Sequence, residues 1–559
     1  MQMSNEAPLS PVEHIKKRSN YLRGTIVASL ADPLTGALAE DDTQLTKFHG
    51  FYQQDDRDLR AERTRRKLEP AYSFMIRVRV PGGITTPAQW LALDALATTH
   101  ANGTLRLTTR QAFQFHGVAK GNVKSTIRRI NDSLLSTIAA CGDVNRNVMC
   151  TPLAETSAVH EAACKVAGDI SEHLAPKTRA YHEIWLDGER VAGTADHEPI
   201  YGETYLPRKF KIALAIPPSN DVDVFAHDLS FIAIERNGKL DGFNVAVGGG
   251  MGMSHGEPDT YPRVADIIGF CSVGQAVAVA EQVVAVQRDF GDRTNRKHAR
   301  LKYTIDDRGL DWFRELLFER LGFSLPAPEP FEFNTRGDVF GWSKDNRGSW
   351  NLTLFVPEGR VQDKGASRLR TALRELAAVH RGDLRLTANQ DLIVSGIPDE
   401  ERPAIERLFE QFGVNLLQSL SPLRQQALAC VALPTCGLAM AEAERYLPEF
   451  TGKVEALLER HGLLSEGIYL RITGCPNGCA RPYLAEIALV GKAPGRYNLF
   501  LGGDAEGTRL NRLARENIDE AEILATLDRL FGQFVGERMS GESFGDFAGR
   551  AYFPEALAS

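Results

Sequence analysis

The segment Leu105-Arg-Leu-Thr-Thr-Arg-Gln111 occurs twice in this chain, and the repeat sets its architecture. It returns 279 residues later as Leu384-Arg-Leu-Thr-Ala-Asn-Gln390. Three matches in one order indicate two copies of one large module, and the period is far too long for a solenoid. The sequence therefore predicts a core with pseudo-twofold symmetry. The two further matches pair Ser73–Pro81 with Ser349–Pro357, offset by 276 residues, and Phe243–Gly249 with Tyr497–Gly503, offset by 254.

Each copy shows the same order of predicted elements. An alternating strand comes first, then a helix, a strand–turn–strand segment and a second helix. This β-α-β-β-α order predicts an α+β fold, with a small antiparallel sheet covered by helices on one face. The predicted ranges are 73–80, 87–99, 104–118 and 123–136 in the first copy, and 349–356, 366–379, 383–397 and 400–412 in the second.

The remaining regions carry weaker signals. Asn237-Gly238 is a strong hairpin turn, and the Pro-rich stretch Leu325–Pro330 is interpreted as the linker between the copies. The first 70 residues lack a core pattern and are interpreted as an arm. Further strands are predicted at 182–187 and 210–216, and helices at 156–174, 274–288, 308–321, 438–461 and 519–536.

Composition excludes several classes of protein. Of the 559 residues, 43% are hydrophobic and 25% charged, as in ordinary globular proteins. No apolar stretch of about 18 residues is present, and the N-terminus lacks a signal pattern, so a cytoplasmic location is expected. The net charge of −7 disfavours nucleic-acid binding. The mixed-sign run Asp55–Lys67 is interpreted as a solvated helix or arm with ion pairs.

Eight cysteines are too few for a disulfide scaffold. Four of them are scattered and are interpreted as small buried side chains: Cys141, Cys150, Cys164 and Cys271. The other four lie within 50 residues, as Cys430-x5-Cys436 and Cys475-x3-Cys479. Four thiolates suit a 4Fe–4S cluster or a structural zinc, although the five-residue gap fits zinc knuckles poorly. Four unliganded buried thiols remain the third possibility.

The repeated strand–turn–strand segment carries polar side chains on one face. In the first copy these are Arg106, Thr108, Arg110, Gln114 and His116, and in the second Arg385, Thr387 and Asn389. A wet outer face would explain them, but a duplicated polar face also suggests an anionic ligand shared between the copies. With Arg77, Arg79, Arg146, Lys209 and Lys211, these groups could hold a polycarboxylate and a small oxyanion.

No dinucleotide fingerprint and no P-loop occurs in the sequence. No nicotinamide or flavin site is legible either. If the chain performs redox chemistry, its electrons must therefore come from another protein.

Four motifs resemble the siroheme-containing sulfite and nitrite reductases over nearly the whole chain. Within that family the chain is most similar to the hemoprotein (beta) subunits of the NADPH-dependent assimilatory enzymes. The motifs are Ser19-Asn-Tyr-Leu-Arg-Gly-Thr25, His49-Gly-Phe-Tyr-Gln-Gln-Asp-Asp-Arg57, Tyr205-Leu-Pro-Arg-Lys-Phe-Lys211 and Thr473-Gly-Cys-Pro-Asn-Gly-Cys479.

The resemblance implies an organisation for the whole chain. Duplicated ferredoxin-like half-modules, at 71–138 and 341–417, form the pseudo-twofold core. Residues 1–70 form an N-terminal arm and residues 139–340 a first siroheme- and substrate-binding domain. Residues 418–559 form a second siroheme domain that carries the Fe–S cysteines.

The resemblance also implies roles for single residues. Cys430, Cys436, Cys475 and Cys479 would hold a 4Fe–4S cluster, and Cys479 would also bridge to the siroheme iron. Arg77, Arg146, Lys209 and Lys211 would bind sulfite and deliver protons. The residues implied to contact siroheme are Arg106, Thr108, Arg110, Gln114, His116, Asn389 and Gln390, together with Cys479.

The implied activity is the six-electron reduction of sulfite to sulfide in sulfate assimilation and cysteine biosynthesis. NADPH would be used indirectly, through the flavins of a separate flavoprotein (alpha) subunit. Two alternatives remain: a ferredoxin-dependent sulfite or nitrite reductase, and a non-catalytic Fe–S electron carrier or sensor.

Overall fold

The computed structural model describes residues 8–189, 196–416 and 420–553. Four five-stranded sheets organise this part of the chain. Its strands are β1 (Phe51–Asp55), β2 (Tyr72–Val78), β3 (Ile84–Thr85), β4 (Leu105–Leu107), β5 (Phe113–Val118), β6 (Met149–Cys150), β7 (Ile212–Ala215), β8 (Leu229–Arg236), β9 (Lys239–Val247), β10 (Asp266–Ser272), β11 (Gly341–Lys344), β12 (Trp350–Leu354), β13 (Arg360–Val361), β14 (Asp363–Lys364), β15 (Ser367–Arg368), β16 (Asp383–Leu386), β17 (Leu392–Ile397), β18 (Leu428–Ala429), β19 (Leu470–Thr473), β20 (Ile487–Ala493), β21 (Arg496–Leu501) and β22 (Arg512–Ile518).

Helices cover these sheets and connect their strands. They are α1 (Pro11–Arg18), α2 (Ile26–Ala31), α3 (Glu40–Leu45), α4 (Arg60–Arg65), α5 (Pro87–His100), α6 (Val123–Asp132), α7 (Ala158–His173), α8 (Ala180–Trp185), α9 (Ala276–Phe290), α10 (Leu301–Arg308), α11 (Leu310–Leu321), α12 (Leu369–Val379), α13 (Arg402–Gln411), α14 (Pro422–Gln426), α15 (Leu447–Arg460), α16 (Glu520–Glu537) and α17 (Phe544–Tyr552).

The two repeated modules form two antiparallel sheets of the same design. Their strand orders are β1-β2-β5-β4-β13 and β11-β12-β17-β16-β3. The fifth strand of each sheet comes from the other copy, since β13 pairs with β4 and β3 pairs with β16. The Thr85 hydroxyl adds a 2.5 Å hydrogen bond to the Leu384 carbonyl at this crossing. The predicted pseudo-twofold core is confirmed, and reciprocal strand exchange joins its halves.

The two larger sheets repeat a second design. One runs β6-β7-β8-β9-β10 and the other β18-β19-β20-β21-β22. In each, the first two pairings are parallel and the last two antiparallel. The predicted hairpin joins β8 to β9, and both Asn237 and Gly238 have the positive φ that its turn requires.

Three sequence predictions are wrong. Residues 182–187 fall largely in helix α8, which buries Ala180, Tyr181, Ile184 and Trp185 at helical spacing rather than as a strand. The helix predicted at 438–461 begins only at Leu447, because Pro448 is tolerated in the first turn and not in a helix interior.

The N-terminal segment is the third correction. It does have a core pattern: Leu22, Ile26, Leu45 and Phe51 are at most 1% exposed. Strand β1 pairs along its whole length with β2. Strand β1 is therefore part of the sheet of the first half-module, while Ser10, Lys16 and Arg57 hydrogen-bond to other regions of the chain; the division of residues 1–70 as a separate arm stays a prediction.

Within residues 8–189, 196–416 and 420–553, none of the helices has the length and hydrophobicity of a membrane-spanning segment.

Candidate active site

The turn between β4 and β5 is held by its own side chains. The Thr108 hydroxyl accepts hydrogen bonds from the backbone amides of Arg110, at 3.3 Å, and Ala112, at 3.2 Å. The Thr109 hydroxyl donates to the Cys479 carbonyl at 2.9 Å, and Arg481 Nη1 donates to the Thr109 carbonyl at 2.7 Å. The turn of the first copy is thus fastened to the cysteine-bearing loop of the last sheet.

Arg110 projects from this turn against the start of β7. Its Nη2 donates to the Ile212 carbonyl at 2.9 Å, and its Nη1 lies 3.0 Å from Met149 Sδ. Its Nε is buried without a hydrogen-bond partner among the described residues. Burial and the neighbouring Arg146 lower the pKa of this guanidinium to about 9, against the opposing effect of Asp228. Arg110 therefore retains unused hydrogen-bonding capacity.

Lys209 and Lys211 lie beside Arg110, just before β7, and both are half-buried. Neither ammonium group has a hydrogen-bond or ion-pair partner within the described ranges. Burial, followed by Arg208 and Arg300, lowers the pKa of Lys209 to about 7. Burial, followed by Lys209 and Arg110, moves the pKa of Lys211 well below its ordinary value. The Lys209 amine can therefore exchange protons near neutral pH.

Arg77 and Arg146 are two further cations of the site. Together with Arg110, Lys209 and Lys211 they form what we call the cationic wall. The Gln114 amide, with its oxygen turned to the guanidinium, accepts from Arg77 Nε at 3.0 Å and Nη2 at 2.5 Å. Arg77 Nη1 also lies 3.2 Å from Cys141 Sγ. Arg146 Nε and Nη2 donate to the Gly142 carbonyl at 2.8 and 2.6 Å. Both arginines are therefore held in fixed positions.

The Cys479 thiol is exposed and acts electrostatically on three of these cations. Its contribution to the pKa of Arg77, Lys209 and Lys211 is upward, whereas the larger contribution of burial is downward for each of them. The structure thus brings the predicted proton donors together around the predicted bridging cysteine.

The four clustered cysteines follow two neighbouring strands. Cys430 comes directly after β18 and Cys475 lies two residues after β19. Because β18 and β19 are parallel, their carboxyl ends meet at the same edge of the sheet. The Gly474 amide donates to Cys430 Sγ at 3.3 Å and the Asn477 side chain to Cys475 Sγ at 3.4 Å. The sulfurs of Cys430 and Cys475 therefore each have a hydrogen-bond donor directed at them.

The cysteines also influence one another's ionisation. Burial, followed by the Cys479 and Cys475 thiols, raises the pKa of Cys436 to about 11. The same causes move the pKa of Cys430 well above its ordinary value. Thiols that raise one another's pKa need a compensating cation to ionise together, because metal binding requires and stabilises the deprotonated form. In the described residues, no three His, Cys, Asp or Glu side chains converge to hold a single metal ion.

The duplicated arginines occupy equivalent ion pairs. Arg106 pairs with Glu444 and donates to the Ala429 carbonyl at 2.9 Å. Arg385 pairs with Glu155 at 2.5 Å and donates to the Pro152 carbonyl at 3.0 Å. Each arginine fastens its half-module to the large sheet region of the other copy, so the duplicated face does not present two free guanidinium groups to a shared anion.

The other predicted cofactor contacts are also engaged within the protein. His116 Nδ1 lies 3.2 Å from Arg360 Nη1, and burial keeps the His116 pKa well below its ordinary value. Asn389 Nδ2 donates to Asp338 Oδ1 at 3.0 Å. Gln390 Nε2 donates to the Ala429 carbonyl at 3.0 Å, while its Oε1 is buried without a partner in the described part of the chain. Their predicted roles toward siroheme stay predictions.

Comparison with known proteins fits this geometry. The protein-family model "Nitrite/Sulfite reductase ferredoxin-like half domain" matches residues 66–133 and 343–412. A second family model, "Nitrite and sulphite reductase 4Fe-4S domain", matches residues 166–325. The chain is 61% identical over 544 residues to the NADPH sulfite reductase hemoprotein beta-component of Myxococcus xanthus, covering 97% of each chain.

The chain belongs to the nitrite and sulphite reductase family. The corresponding beta-component of Anoxybacillus flavithermus is 57% identical over 98% of this chain and 96% of its own. Among solved structures, the NirA protein of Mycobacterium tuberculosis aligns with a TM-score of 0.78 at 27% identity, covering 97% of this chain and 96% of that chain.

The site residues of this nitrite and sulphite reductase fit the cofactors of the family. Siroheme is a polycarboxylate, and the wall carries more cations than anions: Asp228 is engaged by Arg300 at 2.7 Å, whereas Lys209 and Lys211 have no counter-charge in contact among the described residues. Buried unpaired charge is costly, so such a site favours an anionic ligand. The four thiols that interact electrostatically, two of which accept a hydrogen bond at sulfur, are the ligand type that a 4Fe–4S cluster requires.

Sequence reasoning missed several charged residues of this site. Arg208 stands within the motif Tyr205–Lys211, directly before Lys209, and Arg481 follows Cys479 by two residues. Their positions next to predicted site residues could therefore have indicated both. Arg300 and Lys302 carried none, because helix α10 and the residue before it bring them to the site from far along the chain. Burial, followed by Arg300, lowers the pKa of Lys302 to about 6.

Proposed function

We propose that this chain is the hemoprotein subunit of an NADPH-dependent assimilatory sulfite reductase. It reduces sulfite to sulfide with six electrons that a separate flavoprotein takes from NADPH. Full-length similarity to relatives of that name supports the proposal. We place the reaction in the cytoplasm, as a step of sulfate assimilation toward cysteine.

One observation carries the proposal: Arg77 and two lysines without partners in the described residues lie within electrostatic reach of the exposed Cys479, and Arg146 acts on Lys209. Cys430, Cys436, Cys475 and Cys479 would hold the 4Fe–4S cluster, and siroheme bound next to Cys479 would pass electrons to sulfite and hold it for reduction. The residues of the chain supply the binding of the oxyanion and the protons.

Arg77 and Arg146 are suited to hold sulfite oxygens. Both guanidinium groups are fixed by hydrogen bonds on one side, to Gln114 and to the Gly142 carbonyl. Preorganised positive charge in a site that excludes water stabilises anionic oxygens more strongly than water does. These arginines therefore orient the substrate without reorganising.

Lys209 and Lys211 are suited to deliver protons. Three S–O bonds must break, and each oxygen leaves as water only after it is protonated. A lysine whose pKa lies about 7 gives up its proton readily near neutral pH. The neighbouring cations that lower this pKa also attract the anionic substrate. An electron carrier or sensor would need neither property.

The first test is an optical spectrum of the purified holoprotein, before and after sulfite is added to the reduced form. We expect a chlorin-like band in the red that shifts with sulfite, and sulfide as the product of turnover. A spectrum with Fe–S features alone, from cells that make siroheme, would contradict the enzyme and leave the carrier or sensor. Steady-state comparison of sulfite with nitrite then separates the two substrates.

A further inference from the structure

The run Arg57–Lys67 forms a basic surface on an acidic protein. It carries six basic and two acidic side chains, whereas the whole chain has a net charge of −7. Helix α4 lies within it and buries none of its residues. Arg65 and Lys67 are exposed and have no polar partner in the ranges that the structure describes. Arg60 and Arg66 form ion pairs with Asp55 and Glu62, so the charges of Arg65 and Lys67 are the ones available to another molecule.

This surface is anchored to the loop that carries the cluster cysteines. The Arg57 amide donates to the Pro434 carbonyl at 3.1 Å. Arg57 Nη1 donates to the Cys436 carbonyl at 3.2 Å and also to the Ala439 carbonyl. Asp58 pairs with Arg445 at 2.7 Å. The basic helix therefore stands directly beside the loop between Cys436 and Ala439.

Exposed apolar side chains lie in the same place. Leu438, inside that loop, is 67% exposed, and Leu59, before α4, is 41% exposed. An apolar centre with a charged rim is typical of protein interfaces. We define the α4 surface as Leu59, Arg60, Arg63, Arg65, Arg66, Lys67 and Leu438.

We propose that the α4 surface docks an acidic, electron-donating domain of the flavoprotein partner, beside Cys436. This inference rests on the proposed function and adds the place where electrons enter. Charge complementarity supports an acidic partner, because a positive patch steers an acidic protein and fixes its orientation. The adjacent cysteine loop supports a redox partner. The small apolar area, two leucines, suits a transient electron-transfer encounter.

A cross-linking experiment tests the contact without turnover. A carbodiimide joins lysine amines directly to carboxylates, so Lys67 should cross-link to an acidic segment of the purified flavoprotein subunit. The Lys67→Arg variant keeps the charge and should lose that cross-link. Cross-links confined to lysines outside the α4 surface, such as Lys239 or Lys344, would overturn the proposal.

Kinetics then test the charge. In the double variant Arg65→Glu/Lys67→Glu, we expect the KM for the flavoprotein subunit to rise about tenfold at low salt, and the difference to shrink at high salt. Turnover with reduced methyl viologen should not change, because a small donor needs no protein docking. The matched control Arg381→Glu/Arg407→Glu changes charge equally on an exposed face of the second half-module and should leave both donors unaffected.

The outcomes distinguish this proposal from the proposed function. An unchanged KM for the flavoprotein, or an equal change in the control, overturns the docking surface alone. A changed self-association of the double variant would instead mark α4 as a contact between copies of this chain, and it also overturns the proposal. A wild-type protein that makes no sulfide with reduced methyl viologen would contradict the proposed function itself.

Discussion

The turn at 108–112 and its repeat at 387–391 share one backbone and differ in the charged groups around them. In each, a threonine hydroxyl accepts two backbone amides, and Gln111 and Gln390 both have positive φ. Around Arg110 stand Lys211, Arg146 and His227, with Asp228 as the nearby carboxylate. Around Asn389 stand three buried carboxyl groups, Asp221, Asp338 and Asp391, and the guanidinium of Arg481, whose Nη2 lies 3.4 Å from Asn389 Oδ1.

Burial raises the pKa of the carboxyl groups around the second turn, which favours their neutral, protonated forms. Burial, followed by Asp338, raises the pKa of Asp221 to about 7 although Thr151 opposes the shift. Burial, followed by Asp338, moves the pKa of Asp391 well above its ordinary value. The two copies have thus kept the hydrogen bonds that shape the turn, while the ionisable side chains around it differ.

The large sheets differ in the same way. Both begin with parallel strands, but only the second places four clustered cysteines after them. We expect Cys475→Ser to abolish turnover, because a hydroxyl does not replace a cluster thiolate. Iron content and the optical spectrum measure the loss. Cys271→Ser, in β10 of the first sheet, is the control and should keep both. Full turnover in Cys475→Ser would contradict the cluster assignment.

The two turns should differ in catalysis. Lys209→Met should lower kcat about 10²-fold, because a general acid contributes that order of rate, while cluster and siroheme absorbance persist. Asp338→Asn, beside the second turn, should change kcat by less than about twofold. Steady-state assays with reduced methyl viologen measure both variants. Equal losses would show that the second turn also serves the reaction.

The pKa of about 7 for Lys209 predicts a pH dependence. Burial and the cations Arg208, Arg300 and Arg146 lower this pKa, and the Cys479 thiol opposes them. The amine is protonated below about pH 7 and loses its proton above it, so kcat should fall as pH rises through that value, approaching about tenfold per unit. In Lys209→Arg the side chain stays protonated, and this decline should disappear at a lower maximum rate. The same decline in Lys209→Arg would assign it to another group.

The equivalent arginines should affect stability rather than chemistry. Arg106→Met and Arg385→Met each break a charged hydrogen-bonded pair, which we expect to cost about 2 kcal/mol of unfolding free energy. The loss at Arg106 should be the smaller, because Arg360 still holds Glu444 at 2.7 Å. Thermal unfolding measures this. Siroheme lost from Arg106→Met alone would instead favour its predicted cofactor role.

Much of the architecture could be predicted because its signals are local or repeated. The hairpin at Asn237-Gly238 depends on two residues that tolerate positive φ. Helix α9 has an apolar face that its sequence spacing shows. Helix α8 was missed because it is only six residues long, too short for the period of its buried side chains to stand out.

By itself, the sequence determined the duplication, the four clustered cysteines and those basic residues of the site that stand in its motifs, since each is a matter of residue type and spacing. Only the tertiary structure decided which of those charges are free. Distant parts of the chain come together in the exchange of β3 and β13 and in the pairing of Arg106 with Glu444 and of Arg385 with Glu155. That the Lys209 amine has no partner among the described residues is likewise visible only in the folded chain. The sequence gives the type and position of each residue. The burial and the neighbours that set its pKa and its role arise only when distant segments pack together.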